Sequence, residues 1–188
     1  EILNVAQQAA EKSLTLMRDE GNLLPLTQDK KVLIIEQLKM AEFTPNDVYQ
    51  GHWRLNREIL KHTDNVINAD CTFIPTAEEM DFLCDVAKEV DVVVVTNFFW
   101  RHAGNKANTE LVERLVAEGN KVVVVTNDPY AEGAPATAGT VLNSWSLMGE
   151  SLQEVAEVIF GKKEAAGTLP ISNFQAYAGK GAEAQVSA

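Results

Sequence analysis

Apolar residues fall along this chain in two kinds of run. Residues 91–97, DVVVVTN, and residues 121–127, KVVVVTN, each place four valines in succession. Such a run has no polar face, so its strand must be covered on both sides, the habit of a parallel sheet held between helices. VLIIE at 32–36 has the same character and predicts the first strand. Residues 65–68 predict a second, with Cys71 to Ile74 leading on to Pro75, and residues 140–143 a short last one. Between these runs the spacing turns helical. Val5, Ala6, Ala9, Ser13, Leu16 and Met17 share one face of a predicted helix over 3–20, with Gly21 as its stop. Thr44-Pro45-Asn46-Asp47 has the form of a helix start, and Val48, His52, Leu55 and Ile59 continue that helix to about residue 60. Thr76 and Glu79 predict a capping box ahead of the stripe Met80, Leu83, Cys84 and Ala87. Asn108 is expected to cap a helix carrying Leu111, Val112, Leu115 and Val116 and ended by Gly119. A last helix over 148–160 should bury Leu152, Val155, Ala156, Ile159 and Phe160 and stop at Gly161. Strands and helices alternate throughout, which predicts a three-layer α/β/α sandwich with a mostly parallel sheet and right-handed crossovers. Residues 1–172 form the domain in this reading, and residues 173–188, mostly small and polar, a flexible C-terminal tail.

Length and charge narrow the picture. A chain of 188 residues buries roughly 70% of its unfolded surface on folding and needs neither metal nor disulfide to hold it. Cys71 and Cys84 are therefore expected as buried free thiols. Acids outnumber bases 27 to 16, for a formal charge of −11, and the bases form no stripe. Nucleic acid and anionic membrane are poor partners for such a surface. No apolar run approaches the length of a membrane span, and the chain begins without the charged start and apolar stretch of a secretion signal.

Motifs for nucleotide, zinc-protease, redox and serine-hydrolase chemistry are missing: there is no G-x-G-x-x-G, G-x-x-x-x-G-K-[ST], H-E-x-x-H, C-x-x-C or G-x-S-x-G. No cofactor or metal is expected. Of the three histidines, His52 lies on a helix stripe and suits packing, while His62 suits the favourable charge at a helix C-terminus. Glu132, Glu150 and Glu154 are expected to serve helix dipoles or solvation. What remains is the carboxyl edge of the sheet, where open parallel sheets gather their ligands. There stand Asn97, followed by Trp100, Arg101 and His102, and Asn127, followed by Asp128 and Tyr130. An aromatic, basic loop is costly to expose without a partner, so these seven are the candidate substrate-contacting or interface residues. The polar turn at Asn127 to Tyr130 also suits a plain loop.

Two stretches at opposite ends resemble one family. Residues 10–26, AEKSLTLMRDEGNLLPL, resemble the helix and loop opening the C-terminal α/β sandwich domain of glycoside hydrolase family 3. Gly149, Glu150, Val155, Ala156, Val158, Phe160, Gly161, Gly167, Leu169 and Pro170 resemble its closing pattern, a helix ending Phe-Gly and then Gly-x-Leu-Pro. Asn127-Asp128-Pro129-Tyr130 is similar to the Asn-Pro-Tyr loop of the bacterial β-N-acetylglucosaminidase branch.

The resemblance implies a partner, an N-terminal TIM-type barrel of the same protein that carries the nucleophilic Asp, and a carbohydrate substrate. In the β-glucosidase branch the acid/base is a Glu on a loop of this second domain, yet here TNFFWRHAGNKAN holds no acid before Glu110. In the β-N-acetylglucosaminidase branch that role falls to a His of the barrel. The resemblance therefore implies the C-terminal domain of a retaining exo-β-N-acetylglucosaminidase, supporting its barrel, inactive alone and holding no catalytic residue. Two alternatives stand beside it, a β-glucosidase-type domain and a non-catalytic carbohydrate- or protein-binding module. A receiver- or flavodoxin-type domain would need acids or a phosphate loop at the first strand's end, where only Glu36 stands. Localisation stays open between cytoplasmic and secreted in a bacterium.

Overall fold

A computed structural model describes residues 2–39, 54–72, 74–99 and 106–170. The expected helix start at Thr44, His52, the candidates Trp100, Arg101 and His102, and the tail at 173–188 lie outside the described residues. The strands are β1 (Thr15–Asp19), β2 (Val32–Lys39), β3 (Val66–Thr72), β4 (Val92–Asn97), β5 (Val122–Thr126) and β6 (Thr140–Asn143). The helices are α1 (Ile2–Ser13), α2 (Leu55–Ile59), α3 (Ala77–Ala87), α4 (Lys106–Ala117) and α5 (Gly149–Ile159). The sheet runs β1-β6-β5-β4-β2-β3, parallel throughout except for β1, which pairs antiparallel with β6.

The valine runs do what an unbroken apolar strand must. Val93, Val95, Val122 and Val124 enter one core with Leu83, Cys84 and Ala87 of α3 and Leu111, Val112 and Leu115 of α4. Val92, Val94, Val123 and Val125 enter the other, with Leu55 and Ile59 of α2 and Leu152, Val155, Ala156 and Ile159 of α5. Helical layers on both faces complete the three-layer α/β/α sandwich. Cys71 and Cys84 are buried thiols with no disulfide between them. The Thr76–Glu79 capping box closes with both of its hydrogen bonds. Gly161, at φ 65, ends α5 in the left-handed region where a side chain is disfavoured.

The first element differs from the expectation of one helix over 3–20. The helix stops at Ser13, and Thr15–Asp19 form β1 on the sheet edge. Leu16 packs toward one core and Met17 toward the other, which neighbouring positions of a strand can do and a single helical stripe cannot. The register shifts between Leu16 and Arg18, a bulge that re-aims the strand. Beyond it, the Asp19 carboxylate collects the amides of Leu23 and Leu24 at 2.9 and 3.1 Å and the Thr140 hydroxyl at 2.8 Å, shaping the turn at Gly21.

Candidate functional site

Strands β4 and β6 end on an asparagine, and one follows β5 directly. Asn97, 0% exposed, closes β4. Its Nδ2 donates to the carbonyls of Glu132 at 2.8 Å and Gly133 at 3.1 Å, and its Oδ1 accepts from Asn108 Nδ2 at 3.0 Å. Asn108 also donates to the Thr96 carbonyl at 2.8 Å. The sequence suggested that Asn108 caps its helix; instead it lies inside α4, buried, with its amide turned to the sheet. Its apolar neighbours Leu111 and Val112 made the two roles look alike.

Asn127, just past β5, grips the other exit. Its Oδ1 accepts the Phe99 amide at 2.8 Å and its Nδ2 donates to the Phe99 carbonyl at 2.9 Å. Gln37 of β2 accepts the Phe98 amide at 2.6 Å. The segment leaving β4 is thus fixed from both sides before residue 100. At the end of β6, Asn143 accepts the Trp145 amide at 2.9 Å.

The acids at this edge are held locally. The Asp128 carboxyl accepts the backbone amides of Tyr130 and Gly133, and burial, followed by the neighbouring charge of Glu132, pushes its pKa up. Tyr130 is 44% exposed, and Glu132 is exposed while its carbonyl is taken by Asn97 and by Thr109 at 2.6 Å. Glu36, buried at the exit of β2, accepts the amides of Leu55 and Asn56 at 2.7 and 3.3 Å and lies 3.5 Å from Arg54 Nε. Burial is the largest influence on it and raises its pKa. Arg54 also pairs with Asp70. Among the described residues no group of His, Cys, Asp and Glu could hold a metal ion.

Away from this edge, two expectations are revised. Glu154, expected to serve a helix dipole or solvation, is buried; Lys163 Nζ grips its two oxygens at 2.8 and 2.9 Å, and Gln7 of α1 donates to it. A charge on the inner face of α5 gave no sequence signal, because its partners come from both ends of the chain. His62, expected as a helix-end charge, stacks on Phe160 with ring centroids 5.1 Å apart, and its Nε2 lies 4.0 Å from Glu157.

The candidates therefore divide. Asn97 and Asn127 form one hydrogen-bonded frame with the backbone of both strand-exit loops, while Tyr130 stands outside it at the rim. Such a frame can present loops rigidly.

These features define an α/β sandwich domain whose carboxyl edge is built to hold loops. The sequence profile of the Glycosyl hydrolase family 3 C-terminal domain matches residues 14–182, and the chain belongs to that family. No curated protein matches it. Among solved structures it is similar to a family 3 β-N-acetylglucosaminidase from Paenibacillus sp. str. FPU-7, with a TM-score of 0.74 and 22% identity, covering 89% of this chain and 32% of that one. A β-glucosidase from Listeria innocua gives a TM-score of 0.69 at 16% identity, covering 89% and 27%. A Bifidobacterium adolescentis family 3 β-glucosidase gives 0.64 at 23%, covering 89% and 28%. The chain thus spans about a third or less of the length of these structures. No helix among the described residues is long and apolar enough to cross a membrane.

Proposed function

We propose that this chain is the supporting domain of a retaining exo-β-N-acetylglucosaminidase that removes terminal β-linked N-acetylglucosamine, as from bacterial cell-wall fragments. Its partner is an N-terminal TIM-type barrel of the same protein. Retention needs a nucleophile and an acid/base on either side of the sugar; in this proposal the barrel supplies both. The chain's part is to pack against the barrel and hold the loops after β4 and β5 as one wall of the sugar site.

The observation that carries this reading is the paired hydrogen bond between Asn127 and the Phe99 backbone. It ties the last described residues after β4 to the loop after β5, which carries Asp128 and Tyr130. The acid-free stretch from Phe98 to Thr109 favours the β-N-acetylglucosaminidase reading over the β-glucosidase one, which would place a Glu there.

The test uses the longer protein with its barrel and 4-nitrophenyl glycosides. The β-N-acetylglucosaminide should have the higher kcat/KM, and Asn127→Ala should raise its KM several-fold while kcat changes less, because positioning is lost and the reacting groups remain. A preference for the β-glucoside, or unchanged kinetics in Asn127→Ala, would defeat the proposal. The binding-module alternative makes a separate demand: saturable calorimetric binding of N-acetylglucosamine oligomers by this chain alone.

A further inference from the structure

Arg18 is a buried cation in the fold. It lies on β1 just past the bulge, opposite Val141 of β6, and is 2% exposed. Its Nη2 donates to the carbonyls of Ala134 at 3.0 Å and Pro135 at 2.7 Å, which fixes the guanidinium beneath the segment joining β5 to β6. Nε and Nη1 are buried and have no hydrogen-bond partner among the described residues. No carboxylate lies in ion-pair contact with it there; Glu20 acts on it through charge alone and is itself exposed. A guanidinium keeps its charge in a protein and has five N–H donors, so carbonyls at one nitrogen leave both the charge and the remaining donors uncompensated.

A second donor faces the same layer. Asn143 stands opposite Thr15 on the same strand pair, two residues on from Val141. Val141 belongs to the core on the side of Ala134, and strand alternation puts the Asn143 side chain on that side too. The Oδ1 of Asn143 accepts the Trp145 amide, while its Nδ2 is buried without a partner among the described residues. The two strands thus turn unpaired donors from a cation and an amide toward one apolar layer, in a chain whose net charge is −11.

We propose that Arg18 binds a small monovalent anion, a halide or a carboxylate of formate size, under the β5–β6 connection, with Asn143 as a further donor. A water molecule could satisfy an N–H but brings no charge to a buried cation, whereas an anion does both. The ion would tie edge strand β1 to the connection that also supplies Asp128 and Tyr130. This inference does not depend on the glycosidase reading, since it concerns only atoms within this chain.

Two measurements on the 188-residue chain test it. In thermal melts at matched ionic strength, sodium chloride or bromide should raise the melting temperature saturably, by a few degrees over sodium gluconate, whose anion is too large to enter. The increment should vanish in Arg18→Gln. Should that variant fail to fold, crystals of the unaltered chain soaked in bromide decide the matter: an anomalous peak within hydrogen-bond distance of Arg18 Nε or Nη1 is expected. Coincident melts in halide and gluconate, or only water density beside Arg18, would overturn the proposal.

Discussion

Strands β4 and β5 are near-copies in sequence, yet the chain returns from them in opposite ways. After β4 it crosses back through α4, whose backbone groups largely satisfy one another. After β5 it crosses back through residues 127–139 with no helix, and side chains take over the bonding. Asn97 and Thr109 take the Glu132 carbonyl, Asn97 the Gly133 carbonyl, and Arg18 those of Ala134 and Pro135. A connection lying on the core face without a helix needs buried donors, because buried carbonyls left unpaired are costly. The polar residues at the two exits are therefore explained first by this architecture.

The two strands are most vulnerable in the valine core they share. Val93→Asp or Val123→Asp places an unpaired carboxylate between two layers, where an effect above about 4 kcal/mol is expected; either variant should lose its cooperative melt. A soluble, cooperatively melting Val93→Asp protein would move β4 from the sheet centre. Next comes the difference between the connections. Asn97→Ala removes two of the donors to the helix-free return and should cost about 2–4 kcal/mol in urea denaturation, whereas Glu110→Ala, exposed on α4, should stay within about 0.5 kcal/mol. Equal effects would erase the distinction. Gly133→Ala is expected to cost about 1–3 kcal/mol, since a Cβ there would lie 2.3 Å from the Asp128 carbonyl oxygen.

The smallest effect is a pH dependence. Asp128 titrates in the folded chain above its ordinary value of 3.8, so the folded state binds more protons than the unfolded one. Its share of stability is then greatest below that value and declines as pH rises through the folded pKa. Asp128→Asn should flatten this part of the stability–pH curve; an unchanged curve would show that the group is not perturbed.

Much of the fold was legible because apolar runs and helix caps are local. The valine runs, the stripes of α3 and α5 and the Thr76–Glu79 box each specify their element through near neighbours. What escaped depends on distant partners. Ser13, Leu16 and Met17 continue a helical spacing, and only the edge of β6 makes Thr15–Asp19 a strand. Glu154 looks solvated until Gln7 and Lys163 arrive, and Asn108 looks like a cap until the Thr96 carbonyl is beneath it. At the candidate site the positions of Asn97 and Asn127 could be read from the strand exits, but their bonding could not. A polar exit residue has the same signature whether it faces a ligand or its own loops.

In the proposed function this domain frames a sugar site and supplies no catalytic group of its own. The most direct test is to assay the purified 188-residue chain with 4-nitrophenyl β-N-acetylglucosaminide after its cooperative melt has shown it folded. Release of 4-nitrophenol should stay at the buffer background. Turnover above background that disappears in Asp128→Asn or Glu132→Gln would contradict the account.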